Sequence, residues 1–185
     1  MPAAILAFDT TLEACSVALR DASEIICEQR CEPRAHARIL LPMIDTVLAR
    51  AAMRLQDLDA IAFAQGPGSF TGVRMAASVA QGLAFGAQLP VIPLSSLATL
   101  AQACIAKASD RLIVPIIDAR MGEVYAGFYS VKQSLVVAQH ADALLEPHAV
   151  AKFLANMFPD RTLHAVGNGW SLLDCTSLQI AQHNH

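Results

Sequence analysis

The sequence predicts an α/β protein of two lobes, because one arrangement of strands and helices occurs twice along its 185 residues. Three strand-like segments, a helical segment and a further strand follow in the same order in both halves. The first strand of each copy ends in an aspartate, Asp9 or Asp118, and a glycine-bearing turn follows each fourth strand, at Gly66 or Gly167. The two aspartates and the two glycines are separated by similar lengths of chain. We therefore interpret the halves as copies of one unit.

The first copy is predicted to have the element order βββαβαβα. Alternation of apolar and polar side chains predicts its strands, and apolar residues spaced three and four apart predict its helices. The predicted elements are strands 4–9, 14–20 and 24–30, a helix from about 33 to 54, a strand 60–65, a helix 71–87, a strand 90–94 and a helix 95–107. Short polar turns between the first three strands indicate an antiparallel meander.

The second copy repeats the first five of these elements. It is predicted to contain strands 112–118, 123–129 and 134–139, a helix 147–157 and a strand 162–166. Too few residues follow Trp170 for another helix, strand and helix, so the second lobe is expected to be truncated and residues 182–185 to form a polar tail. The lobes are assigned to residues 1–108 and 109–185. A duplicated unit of this order is the plan of the actin-like ATPase fold, in which two ribonuclease-H-like lobes face one cleft.

Composition excludes several classes of function. The net charge is −3, so the chain has too little excess basic charge to bind a run of phosphates without a basic partner. Five cysteines without a CxxC pair argue against a disulfide framework and a zinc knuckle. The apolar runs are shorter than a membrane span, and the N-terminal residues lack the basic head of a signal peptide. These features predict a cytoplasmic protein.

The segment 66–74, GPGSFTGVR, is the most distinctive stretch of the sequence, and it lies between a predicted strand and a predicted helix. Backbone amides at such a helix start can hold an anion, which makes Gly66, Gly68, Ser69 and Thr71 candidates for a nucleotide or anion site. The spacing matches neither GxxxxGK[ST] nor GxGxxG. A second interpretation stays open, in which the glycines form a tight turn and Ser69 or Thr71 caps the helix.

Two strand-end aspartates complete the candidate nucleotide site. Asp9 and Thr10 lie where actin-like enzymes place a magnesium-associated carboxylate and a phosphate-contacting hydroxyl. Asp118 occupies the matching position of the second copy, but no hydroxyl-rich turn follows it. The two aspartates are either remnants of a nucleotide site or groups that satisfy local turns, and we interpret them as remnants.

The sequence contains no recognisable motif for a metal site or for a catalytic nucleophile. The six histidines are scattered, and no HxxxH or HExxH pair places two imidazoles on one helical face. The terminal His183, Asn184 and His185 lie in the predicted tail, and no serine lies in a GxSxG elbow. No bound metal and no catalytic nucleophile are expected.

Four segments together resemble the TsaB family, also known as YeaZ. They are residues 6–19, the glycine segment 66–74, residues 117–125 (IDARMGEVY) and residues 166–169 (VGNG). Arg34, Ala35 and His36 are also similar to the entry into the first helix of that family. The resemblance covers most of the chain from Leu6 to Gly169, and the GPGSFTGVR string is highly specific.

The resemblance implies an actin-like fold and a noncatalytic role. It implies that the chain binds the homologous catalytic subunit TsaD, together with TsaE, for transfer of a threonylcarbamoyl group to the adenosine next to the anticodon of tRNAs. Transfer RNA would be bound only through that complex, and no cofactor is expected beyond weak or shared nucleotide binding. TsaD-like sequences have an HxxxH metal helix where this chain has Ser96 and Leu100, which cannot replace imidazole ligands. Family members usually continue to a Pro-x-Tyr-Leu-Arg segment that this sequence lacks.

The first two helices are the predicted pairing surface. In the first helix, one apolar stripe is formed by Leu40, Ile44, Val47, Leu48 and Ala51. Ile39 and Met43 lie beside Pro42 and off that stripe, where they either form an additional apolar surface or extend the contact with the core. In the second helix, Arg74, Met75 and Ser78 lie on the expected outer side, among small residues. This surface would pair with itself in a homodimer or with TsaD, its homologue, by pseudo-symmetry.

Two rival functions remain at this point. The first is an active actin-like ATPase or phosphotransferase, which would use Asp9, Asp118 and the glycine turns. The second is a metallopeptidase, which is less consistent with the sequence because the histidines that could bind a metal are scattered.

Overall fold

The computed structural model describes residues 3–105, 112–159, 161–176, 178 and 180–184. Contacts divide the chain into two compact units, Met1–Ser96 and Leu97–His185. The sequence placed the boundary between the lobes after residue 108, whereas this division falls after Ser96, at the start of the helix Ser96–Ala103. None of the described helices is long and apolar enough to cross a membrane.

The first unit contains a five-stranded sheet with helices. Its elements are β1 (Ile5–Asp9), β2 (Cys15–Arg20), β3 (Ile25–Arg30), α1 (His36–Arg50), β4 (Ala60–Gly66), α2 (Phe70–Ala87) and β5 (Val91–Ser95), and α3 (Ser96–Ala103) follows. The strand order is β3-β2-β1-β4-β5. β1, β2 and β3 pair antiparallel, as the predicted meander requires, while β1, β4 and β5 pair parallel.

The core of the first unit includes small side chains of α2 as well as larger apolar residues of the sheet. Alternate residues of β1 and β2, including Leu6 and Val17, are buried against the helices. α2 buries Ala76, Ala80 and Ala84, which are spaced one turn apart. Because these side chains are small, the helix can lie close to the sheet. Small residues of α2 therefore serve the core of this unit as well as its surface.

α1 is shorter than predicted, and its buried face is wider. It spans His36–Arg50, and the helical pattern stops before Ala52, whose φ of 51° is left-handed. Ile39 and Met43 are buried in the core together with Leu40, Ile44 and Val47. Of the two interpretations of Ile39 and Met43, extended contact with the core therefore holds and their place on a pairing surface is wrong, because the sheet contacts more of the helix than one narrow stripe.

The second unit repeats the topology of the first. Its elements are β6 (Leu112–Arg120), β7 (Glu123–Lys132), β8 (Leu135–Leu145), α4 (Pro147–Met157), β9 (Leu163–Val166) and β10 (Ile180–Asn184). The strand order β10-β9-β6-β7-β8 is equivalent to β5-β4-β1-β2-β3. Trp170 is buried in the core and donates a hydrogen bond from Nε1 to the carbonyl oxygen of Val114, at 2.8 Å.

Two predictions for the second unit need correction. Residues 182–184 belong to β10, which pairs parallel with β9 and completes the sheet, so they are not a free polar tail. His185 and the predicted end of α3 at residue 107 lie outside the described residues. β8 extends beyond the predicted 134–139 to Leu145. After β9 the described part of this unit has a 3-10 helix, Asn168–Leu172, at the position that α2 has in the first unit.

Candidate functional site

The glycine segment is held against the turn that follows β1. A Cβ atom on Gly68 would lie 2.5 Å from the carbonyl oxygen of Thr11, and one on Gly72 would overlap the carbonyl oxygen of Thr10. The backbone N–H of Ser69 donates to the carbonyl oxygen of Thr11, at 2.8 Å. Both glycines are thus required for close approach of two backbone segments, and Gly66 adopts a left-handed φ of 103° at the end of β4.

The hydroxyl groups of Ser69 in this segment and of Thr10 in the turn after β1 form hydrogen bonds with the backbone of α2. Ser69 is the N-cap of α2, and its Oγ accepts a hydrogen bond from the backbone N–H of Gly72, at 3.4 Å. The hydroxyl of Thr10 donates to the carbonyl oxygen of Gly72, at 2.7 Å. These contacts support the interpretation of the segment as a capped tight turn, while Thr71 remains exposed at the helix start.

Asp9 closes a local turn at the end of β1. Its Oδ1 accepts hydrogen bonds from the backbone N–H and the hydroxyl of Thr11, each at 2.7 Å. The Thr11 hydroxyl in turn lies 2.9 Å from the hydroxyl of Ser96, and both residues are buried. Burial, with a smaller contribution from the Asp9 carboxylate, raises the pKa of the nearby Cys15 thiol to about 11.

Asp118 accepts a similar hydrogen bond, but it lies within β6, which continues to Arg120 instead of ending at Asp118 as predicted. Its Oδ1 accepts from the backbone N–H of Arg120, at 2.7 Å, and its Oδ2 lies 3.1 Å from Nη1 of Arg120. Its own backbone N–H donates to Oδ1 of Asn168, at 3.0 Å. Asp9 and Asp118 therefore each accept a hydrogen bond from the backbone N–H two residues ahead, an arrangement that satisfies the local backbone.

Candidate metal ligands are not grouped. Among the described residues, no cluster of three or more histidine, cysteine, aspartate or glutamate side chains could hold a metal ion. The hydroxyl of Ser96 is engaged with Thr11, and Leu100 is half-buried on the same helix. Neither side chain offers a nitrogen or carboxylate ligand.

The predicted pairing residues separate into two groups. Ile39 and Met43 are core residues, and Met75 is half-buried against the core. Pro42 of α1 and Arg74 and Ser78 of α2 are exposed. Of the two helices, α2 is therefore the one whose predicted pairing residues are mostly exposed.

Two phenylalanines on α2 were missed from the sequence. Phe85 is 89% exposed and Phe70 is 72% exposed. The guanidinium carbon of Arg74 lies 3.3 Å from the centroid of the Phe70 ring, so this pair is a cation–π stack on the surface. The available signal was their spacing: Phe70, Arg74, Ser78 and Phe85 recur at helical intervals along one face.

A groove lies beside this face. It has a volume of about 660 Å³ and is lined by Gln81, Gly82, Phe85, Leu89 and Val91, among others. A Cβ atom on Gly82 would meet no atom within 4 Å. The groove is therefore open above Gly82 and has apolar walls.

Two five-stranded sheets of equivalent order, each with three antiparallel and two further parallel strands, define a protein of the actin-like α/β fold. The protein TsaB of Haemophilus influenzae, named for tRNA threonylcarbamoyladenosine biosynthesis, is 42% identical over 173 residues, which cover 90% of this chain and 72% of that protein. The chain belongs to the TsaB family.

Further comparisons agree with this membership. The TsaD family model, described as tRNA N6-adenosine threonylcarbamoyltransferase, matches residues 29–166. TsaB of Escherichia coli is 40% identical over 167 residues, covering 90% of this chain and 71% of that protein. The structure of YeaZ from Pseudomonas aeruginosa has a TM-score of 0.85 at 39% identity and covers 97% of this chain and 87% of its own.

Proposed function

We propose that this protein is a noncatalytic subunit that binds TsaD, with TsaE, for transfer of the threonylcarbamoyl group to the adenosine next to the anticodon of tRNAs. The noncatalytic role is supported by Asp9 and Asp118, because each carboxylate accepts a hydrogen bond from the backbone N–H two residues ahead. The residues at the metal-ligand positions of TsaD-like sequences, Ser96 and Leu100, support it further. Weak or shared nucleotide binding is compatible with this role, and tRNA would be bound through the complex.

Binding of a partner protein is supported by the exposed face of α2. We define the α2 face as Phe70, Arg74, Ser78, Gly82 and Phe85. An aromatic side chain that is 89% exposed beside an apolar groove is typical of a protein-binding surface. Gly82 would allow a partner helix to approach closely. The same face would pair two copies when the protein is alone and would pair with TsaD in the complex. Binding through this face would then favour a competent TsaD conformation.

Phe85→Glu tests the surface. Phe85 is exposed in the monomer, so the fold should tolerate the carboxylate, whereas an interface would bury it without a partner, at a cost of several kcal/mol. Since about 1.4 kcal/mol is tenfold in affinity, TsaD binding should fall at least tenfold. The matched control is Leu135→Glu, because Leu135 is 63% exposed on β8 in the other unit. Binding is measured by copurification and sedimentation with TsaD from the same organism.

A tRNA-modification assay completes the test. TsaD and TsaE would be assayed with the wild-type chain, with Phe85→Glu, with Leu135→Glu and without the chain. The proposal expects modification with the wild-type and Leu135→Glu proteins and strong loss in the other two reactions. Equal TsaD binding by both variants would place the pairing surface elsewhere, and modification without the chain would remove its role as a required subunit.

A further inference from the structure

The hairpin that joins β6 to β7 has an apolar side chain at its tip. Arg120 pairs with Glu123 across the hairpin, so Met121 and Gly122 are the two residues of its turn. Residues 120, 121 and 122, which we call the hairpin tip, all have left-handed φ values, of 68°, 55° and 81°. Met121 is 98% exposed. We infer that the hairpin tip is a further contact for TsaD, in which Met121 enters an apolar pocket of that protein.

The backbone of this turn disfavours methionine. A two-residue turn with two left-handed residues favours asparagine followed by glycine, because asparagine can hydrogen-bond locally and glycine has no Cβ. Gly122 follows this rule, whereas the bulky side chain of Met121 is strained in the left-handed conformation. The fold alone therefore favours another residue at position 121. Backbone strain of this kind, at a fully exposed side chain, points to a role of that side chain outside the fold.

Contacts at the base of the hairpin hold the tip in place. The backbone N–H of Arg120 donates to Oδ1 of Asp118, at 2.7 Å, and Nη1 of Arg120 lies 3.1 Å from Oδ2 of Asp118. The N–H of Asp118 donates to Oδ1 of Asn168, at 3.0 Å. A Cβ on Gly169 would lie 3.0 Å from the backbone nitrogen of Asp118, so the segment after β9 lies directly against the hairpin. A tip presented on a fixed backbone loses less entropy on binding than a mobile loop does.

The next hairpin of the same unit provides a comparison. Lys132 of β7 pairs with Leu135 of β8, and the turn between them consists of Gln133 and Ser134, with left-handed φ values of 50° and 61°. Both turn residues are exposed, and both have polar side chains that water can solvate. The type of turn therefore does not require an exposed apolar side chain, and Met121 distinguishes the first hairpin from the second.

The charges beside the hairpin tip favour a protein over a nucleic acid as the partner. Asp118 compensates the positive charge of Arg120, and Glu123 adds a carboxylate in a chain of net charge −3. Such a surface has no excess positive charge to attract phosphates. Methionine and arginine are both enriched in protein interfaces, and a flexible methionine side chain fits an apolar pocket. The choice of TsaD as the protein rests on the proposed function.

Met121→Asn separates binding from folding. Asparagine adopts the left-handed conformation more readily than methionine, so the urea midpoint should stay unchanged or rise. The apolar contact is lost, so the affinity of the full chain for purified TsaD, measured by isothermal titration calorimetry, should fall about tenfold or more. Met121→Leu keeps an apolar side chain of similar volume and should retain most of the affinity. A side chain with only a structural role would not give lower affinity together with unchanged or higher stability.

Gln133→Asn is the matched control, because it makes the same change at the first turn residue of the second hairpin without removing an apolar side chain. It should leave the dissociation constant unchanged. The inference is overturned if Met121→Asn binds TsaD like wild type, if both asparagine variants weaken binding equally, or if Met121→Asn weakens only self-association or only the binding of TsaE. Circular dichroism checks the fold, and Met121→Gly replaces Met121→Asn in the comparison if the latter is unfolded.

Phe85→Glu, measured in the same series, distinguishes this inference from the proposed function. Weaker TsaD binding by Phe85→Glu but not by Met121→Asn would remove the hairpin contact and leave the α2 face. Weaker binding by Met121→Asn but not by Phe85→Glu would support the hairpin contact and place the other surface away from α2. Wild-type protein that does not bind TsaD would overturn both.

Discussion

Gly72 and Gly82 both lie in α2, but the surrounding atoms leave space for a side chain at only one of them. A Cβ on Gly72 would overlap the Thr10 backbone, whereas a Cβ on Gly82 would meet nothing within 4 Å. The same residue type is thus required at one position for close backbone contact and is replaceable at the other, although both lie in one helix.

Gly72→Ala should therefore destabilise the fold while Gly82→Ala stabilises it. The first change forces the turn after β1 away from α2, and overpacking of this kind costs about 2 kcal/mol or more. The second replaces a helix-interior glycine and should add about 0.5–1 kcal/mol. Urea unfolding midpoints at constant slope measure both effects. A destabilised Gly82→Ala protein would show that the helix surface is not open there.

The Cys15 thiol is another residue whose surroundings set its chemistry. Burial and Asp9 raise the pKa of this thiol to about 11, and burial also blocks reagents. Iodoacetamide at pH 8 should alkylate the exposed Cys27 and Cys31 and leave Cys15 unmodified until urea is added. Mass spectrometry of the peptides measures this. Alkylation of native Cys15 at the rate of Cys27 would contradict the buried position.

The same thiol predicts a pH dependence of stability. Its pKa is raised in the folded protein, from 9.0 to about 11, so the folded state keeps a proton that the unfolded state loses. The resulting contribution to the free energy of unfolding is complete below pH 9.0 and is lost as the pH rises to about 11. Comparison of wild type with Cys15→Ala across this range isolates the effect, since the variant has no thiol to titrate there.

At the level of elements, α1 shows how far periodicity can predict burial. Of the five residues that the sequence placed on the apolar stripe, Leu40, Ile44 and Val47 are buried, and Leu48 and Ala51 are partly buried against the core. It left open whether Ile39 and Met43 form additional surface or extend the core, and both are buried. Helical spacing gives the direction of the apolar face, whereas its width depends on how much sheet lies beneath the helix, which a single sequence does not reveal.

Met43→Glu should consequently unfold or strongly destabilise the protein. It would bury a carboxylate without a partner, at a cost of several kcal/mol. Leu41→Glu is the matched variant on the same helix; Leu41 is 49% exposed, and the change should alter stability by about 0.5 kcal/mol or less. Thermal unfolding followed by circular dichroism distinguishes them. A folded, fully stable Met43→Glu protein would mean that α1 packs differently.

For the whole molecule, the repeated order of elements predicted both sheets except for the last strand. Alternation in β1 and β2, and the aspartates Asp9 and Asp118 at the ends of the predicted first strands, made the duplication visible. β10 was missed because residues 180–184 (IAQHN) do not alternate, and their strand conformation depends on pairing with β9. The glycine segment was located correctly, but its two interpretations could be compared only once its contacts with Thr10 and Thr11 were known.

The duplication also leads to an expectation about catalysis. Each unit has an aspartate where an actin-like enzyme would place a catalytic carboxylate, yet Asp9 and Asp118 each accept the backbone N–H two residues ahead. A carboxylate held in a turn by the chain itself has less capacity left for a magnesium-bound nucleotide. We therefore predict that the purified protein alone neither hydrolyses ATP above background nor forms threonylcarbamoyl-tRNA.

Asp9→Ala and Asp118→Ala separate a structural role of these carboxylates from a catalytic one. If the two carboxylates only satisfy local backbone groups, each variant should lose about 1 kcal/mol of stability because one amide loses its hydrogen bond. Each folded variant should still support tRNA modification by the mixture of TsaD and TsaE. Urea unfolding and the tRNA-modification assay measure the two effects separately. The opposite result would be that the wild-type chain alone hydrolyses ATP and that either variant does not. This result would show an active ATPase site, because loss of a structural hydrogen bond in a folded protein does not remove a chemical step.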